Sequence, residues 1–87
     1  VGQEAKLERK RKAQIEAEGG MYLKQNGHAG IPDRLVLMPV PPEHQELVGR
    51  YVRFEELKAA NGRVAAVQQR VIGWLEKMGY RVDVTKP

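Results

Sequence analysis

The sequence predicts an α/β fold, a small mixed sheet flanked by helices, with its elements in the order α-β-β-β-α-β. Three observations carry this expectation. From Gln3 to Glu18 there is neither Gly nor Pro, and good helix formers dominate. Val64, Val67, Val71, Trp74, Leu75 and Met78 recur at spacings of three and four, the strongest periodic signal in the chain. The other apolar segments are short, alternating or nearly continuous, and are bounded by Gly, Pro and Asn, as strands are.

Taken in order, the first helix carries a narrow apolar stripe, with Leu7 and Ile15 eight apart and alanines between them, so it must lean on another element. Arg9, Lys10, Arg11 and Lys12 form a basic run along it, and Gly19-Gly20 stops it. Met21 to Lys24 is a short strand candidate, and Gln25 to Pro32 reads as a loop. Arg34 to Val40 is almost continuously apolar, the pattern of a strand covered on both faces. Pro41-Pro42-Glu43-His44-Gln45 cannot continue a ladder and reads as the connection to the next strand. From Arg50 to Lys58 the chain alternates, with Val52, Phe54, Glu56 and Lys58 on one face and Tyr51, Arg53, Glu55 and Leu57 on the other. The second helix ends at Gly79, and Tyr80 to Val84 closes the sheet. Phe54 and Trp74 are assigned to the core, and Gly73, a costly residue inside a helix, points to close packing.

Composition bounds the function. The 87 residues suit one domain, with 41% hydrophobic and 30% charged residues, a globular balance. A core this small is thin, so self-association is expected. With no Cys there is no disulfide framework, thiolate zinc site or thiol nucleophile. His28 and His44, without further ligands, do not make a zinc site. No apolar run approaches the roughly 20 residues that cross a bilayer, and no signal peptide is visible, so a cytoplasmic location is expected. The formal charge of +4 is compatible with a polyanionic partner.

The alternating strand holds the chemistry. Glu56 and Lys58 leave the same face as Val52 and Phe54, and charged groups at the end of a buried face are costly unless paired, hydrated or bound to an ion. Asp33 stands at the mouth of the preceding apolar strand. A hairpin through Pro41-Pro42 would bring Asp33 close to Glu56, and two converging carboxylates repel unless a hard cation such as Mg²⁺ lies between them. Beside such a cation, Lys58 would neutralise charge on a phosphoryl group, the layout of phosphodiester hydrolysis. The plain reading, a solvated Glu-x-Lys strand end and a Pro-Asp turn, stands beside it.

Gly19-Gly20-Met-Tyr-Leu-Lys24, Gly27, Gly30-Ile-Pro-Asp33-Arg34, Phe54-Glu-Glu-Leu-Lys58, Gln68 and Gly79-Tyr80-Arg81-Val82 form an ordered set. Together they resemble the virus-type replication-repair nuclease (VRR-NUC) family, a branch of the PD-(D/E)XK nucleases, over nearly the whole chain. The resemblance implies a minimal restriction-endonuclease-like core in which Asp33 and Glu56 hold Mg²⁺ or Mn²⁺, with the backbone carbonyl of Leu57 as a third ligand. It further implies that Lys58 is the catalytic lysine, that Gln68 reaches the site from the second helix, and that Glu8, or else Glu4, is the first-helix acid. Lys24 matches the lysine that follows Gly-Gly and touches phosphate or DNA backbone. The chain departs from the family at Pro41 to Gly49, which is longer and richer in proline than the expected turn.

The combined expectation is a phage or prophage nuclease acting in the bacterial cytoplasm, with a single domain spanning residues 1–87. It would cut branched DNA such as four-way junctions as a C2 homodimer, since cutting two strands symmetrically needs two sites. Arg9, Lys10, Lys12, Lys24, Arg34 and Arg63 are the candidates for DNA-backbone contact. Arg34 could instead pair with a nearby acid, and Glu8 with Arg11 or Lys12. The rival from another class is a non-catalytic nucleic-acid-binding module of the same fold, and a third reading is a subunit that needs a partner protein.

Overall fold

A computed structural model describes residues 2–26 and 29–87. Gly27 and His28, and with them the motif glycine and the loop histidine, lie outside the described residues. The structure is mixed α/β. Its elements are α1 (Gln3–Ala17), β1 (Met21–Lys24), β2 (Arg34–Leu37), α2 (Pro42–Tyr51), β3 (Arg53–Leu57), α3 (Ala66–Lys77) and β4 (Arg81–Thr85). The order is therefore α-β-β-α-β-α-β, with one helix more than the sequence suggested. In place of one mixed sheet there are two sheets of two strands, β1-β2 and β3-β4. The chain forms two compact units, residues 1–39 and 40–87.

In the first unit, α1 ends in a glycine-dependent stop. Gly19 takes φ 84°, and the N–H groups of Gly19 and Gly20 close onto the carbonyls of Glu16 and Ile15. The chain then turns straight into β1, which pairs antiparallel with β2 in the register Met21↔Leu37 to Lys24↔Arg34. Gly20 sits where no side chain fits. A Cβ there would lie 2.6 Å from the Leu37 carbonyl oxygen and 2.9 Å from Ile15 Cγ2. Among the described residues of this unit, Ile15 and Leu37 are buried. The apolar run of β2 is covered on one face only, since Leu37 is buried while Val36 is 41% exposed.

In the second unit, Pro41-Pro42 starts a helix instead of linking two strands. Proline is well suited to the first turn of a helix, where its missing N–H has no intrahelical partner to lose. Here Pro42 opens α2, which runs through Tyr51. The long connection from Pro41 to Gly49 is thus a helix, and the alternating strand begins at Arg53 rather than Arg50. β3 pairs parallel with β4, from Arg53↔Arg81 to Leu57↔Thr85, through the crossover that a parallel pair requires, which α3 supplies. α3 ends as α1 does. Gly79 takes φ 100°, and the N–H groups of Gly79 and Tyr80 bond the carbonyls of Glu76 and Leu75. Leu75 is buried, and Phe54 meets Tyr80 edge to face at 6.0 Å.

Two expectations for α3 are corrected. Trp74 is 52% exposed rather than a core residue, because the face that meets the sheet is the one carrying Leu75. A Cβ at Gly73 would meet no atom within 4 Å, so no close packing among the described residues explains that glycine.

Candidate active site

The site residues divide between the two units. In the second unit, alternation along β3 puts Phe54 and Glu56 on the half-buried face and Arg53, Glu55 and Leu57 on the exposed one. Glu55 is accordingly held away from Glu56, and its carboxylate accepts a 2.8 Å hydrogen bond from the Thr85 hydroxyl. Glu56 Oε2 accepts a 3.0 Å hydrogen bond from the Gln68 amide and lies 3.6 Å from the Lys58 ammonium. The Glu56 and Lys58 side chains are only 32% and 20% exposed, so the pair is partly screened from water. Oε1 of Glu56 has no protein partner among the described residues.

Gln68 is fixed from both ends. It occupies the third position of α3, and its Oε1 accepts the Ala65 backbone N–H at 3.0 Å, one half of a capping box. Ala65 has no side-chain oxygen to return the second half. Because the amide oxygen is committed to the backbone, the amide NH₂ has to present itself to Glu56. The start of the crossover helix therefore sets the orientation of a carboxylate on the strand before it. The resemblance implies that Gln68 reaches the site, and the cap that fixes its amide has a sequence signal in a Gln three residues after the helix start.

In the first unit, Glu4, Glu8, Lys24, Asp33 and Arg34 line one cleft of about 900 Å³ between the start of α1 and the ends of β1 and β2. Glu8 pairs with neither Arg11 nor Lys12. It forms a 2.6 Å ion pair with Arg34, while Arg11 bonds Gln14. The Arg34 guanidinium also donates to the Asp33 carbonyl oxygen and stands 6.0 Å from the centre of the Tyr22 ring. At 20% exposure its charge is largely committed inside the unit. Asp33 is exposed at the head of β2, and Lys24 is exposed at the end of β1, opposite Arg34 in the register. Arg9, Lys10 and Lys12 are exposed along α1, and Arg63 is exposed ahead of α3.

The expectation that Asp33 meets Glu56 rested on a hairpin between their strands. That hairpin is not formed, since β2 pairs with β1 and β3 with β4. Among the described residues, no group of three or more His, Asp or Glu stands together as a ready metal cage. The metal ligands that the sequence points to are all oxygens, Glu56 and the Leu57 carbonyl in one unit and Asp33 in the other. That donor chemistry suits a hard cation that retains several waters, and the unshared Glu56 Oε1 is available to one. Among the described residues no helix is long and apolar enough to cross a membrane. Comparison of the chain with protein-family models, curated proteins and solved structures finds no match.

Proposed function

We propose that this chain is a Mg²⁺- or Mn²⁺-dependent DNA endonuclease with a minimal PD-(D/E)XK core. The observation that carries the reading is the Glu56 carboxylate, held on one oxygen by Gln68 and Lys58 with the other oxygen unshared. A solvated strand end has no need of a helix-capping amide to orient it. The order of the motif residues along the chain supports the same reading.

Glu56 and the Leu57 carbonyl would hold the cation, which when bound polarises phosphoryl oxygens and lowers the pKa of its water, and the motif order makes Asp33 a second acid needed for cleavage. Lys58 places a positive charge beside Glu56, where it offsets negative charge that builds on the phosphoryl oxygens during hydrolysis. Gln68 keeps Glu56 oriented without adding charge. Lys24 and the basic residues of α1 contact the DNA backbone, which gives affinity without sequence preference. Branched DNA is the proposed substrate and a C2 homodimer the proposed assembly, for two cuts need two sites.

The test is cleavage of end-labelled four-way junction, flap and plain duplex DNA in EDTA, Mg²⁺ or Mn²⁺, with Asp33→Ala and Glu56→Ala in parallel. The proposal expects metal-dependent products that both variants lose, with the junction cut fastest. DNA that is bound but never cut, with the variants indistinguishable from the parent, would replace it with a binding module.

A further inference from the structure

The parallel register of the second unit sets Arg53 directly beside Arg81. Like charges directly opposite in a sheet are unfavourable, and both strands begin with this residue. The C-terminal turn of α2 adds Arg50, so guanidinium groups from three elements line one cleft of about 590 Å³. Two carboxylates, Glu46 and Glu76, share that lining.

The donors there are only partly used. Arg50 Nη2 bonds Glu46 at 2.9 Å. Arg81 engages Asp83 through Nε alone, at 3.1 and 3.2 Å to the two carboxylate oxygens, which leaves both of its terminal nitrogens open. Arg53 is exposed and has no partner among the described residues; the acid two places along its strand, Glu55, is bonded instead by Thr85. With Asp83 on Arg81, three guanidiniums stand among three carboxylates, so what the cleft offers an anion is open donors, on Arg53 and on the terminal nitrogens of Arg81, rather than surplus charge. Planar guanidinium forks match phosphate oxygens better than any other side chain does.

We propose that Arg53 and Arg81, with Arg50 at the rim, bind a backbone phosphate of DNA at a place separate from the scissile bond. This rests on the nucleic-acid reading above and extends it. Arg53 lies on the opposite face of β3 from Glu56, so the phosphate it holds belongs to a stretch of substrate that is bound but not cut. The contact supplies affinity and leaves the chemical step alone.

The experiment is fluorescence anisotropy of a labelled DNA duplex in EDTA, from about 50 to about 200 mM salt, with the parent, Arg53→Gln/Arg81→Gln and Arg53→Lys/Arg81→Lys. Metal-dependent cleavage at saturating DNA is followed in parallel. The Gln pair is expected to make the salt dependence shallower by about one, for the one phosphate released, and to weaken binding roughly ten-fold at 0.1 M salt, with turnover at saturation unchanged. The Lys pair keeps the charge and the salt dependence while losing the fork. Thermal unfolding of the Gln pair should stay close to the parent's, since the opposed like-charge pair and the exposed Arg81–Asp83 ion pair are removed together. Unchanged affinity and salt dependence in the Gln pair would overturn the site. A parent that binds no DNA would overturn both the site and the nucleic-acid reading. Loss of binding in the Gln pair, where neither protein cuts, would keep the site and discard the nuclease.

Discussion

The two units of this chain solve the same local problem in the same way and then diverge. Each has a helix that ends on a glycine with positive φ, at Gly19 or Gly79, and each chain then enters a strand at once. In the first unit that strand pairs with a sequence neighbour, antiparallel, and the acid that the sequence singled out, Glu8, is bound tightly by the arginine at the head of β2. In the second unit the strand pairs parallel across a helix, and the acid, Glu56, is held by a neutral amide and by a lysine at longer range. The difference matters chemically. Each acid is engaged through one oxygen only, but an arginine at 2.6 Å offsets the charge of Glu8 more than a neutral amide and a lysine at 3.6 Å offset that of Glu56. Of the two acids, Glu56 keeps more of its charge for another ligand.

The comparison can be broken most directly at Glu56. Glu56→Gln keeps the shape and removes the charge, and metal-dependent cleavage should fall about 10²- to 10³-fold with the melting temperature little changed; cleavage assays beside thermal unfolding read both. Gln68→Ala removes the amide that orients Glu56. The expected loss of cleavage is about 10- to 100-fold, against no more than about 1.5 kcal/mol of stability for the lost hydrogen bonding, and urea unfolding separates the two effects. An equal loss of activity and stability would make Gln68 a cap and nothing more.

The next test concerns the shared helix stop. Gly20→Ala drives a methyl group into the Leu37 carbonyl and Ile15, and should lower stability by about 1–3 kcal/mol in denaturant unfolding. Gly73→Ala is the smallest effect and has the opposite sign. Open space surrounds that position, so helix propensity alone should raise stability by about 1 kcal/mol. A fall instead would mean that something outside this chain packs against α3.

What the sequence disclosed follows from which signals are local. α1, β1 and α3 were legible from helix formers, glycine stops and periodicity, because those signals lie within a few residues of the element they define. α2 was not, since Pro41-Pro42 is equally good as the end of a strand and as the first turn of a helix. Reading the prolines as a break merged two elements and produced a hairpin between β2 and β3 that the chain does not form. At the site, alternation along β3 separated Glu55 from Glu56 correctly, as period-two side-chain direction requires. The Glu8–Arg34 pair and the Arg53↔Arg81 register depend on which elements come together, and no local pattern encodes that. Trp74 failed for a related reason: periodicity found the apolar face of α3 but not how far round the helix the sheet would cover it.

The central claim is that Glu56 is the carboxylate of a metal-dependent nuclease centre. The most direct measurement is cleavage and binding of the same labelled four-way junction by the parent and by Glu56→Gln, with Mg²⁺ and with EDTA. The account predicts that both proteins bind the junction, that only the parent cuts it, and that EDTA abolishes the cutting. Cleavage by Glu56→Gln at the parent's rate, or a parent that binds without cutting in any metal, would contradict it.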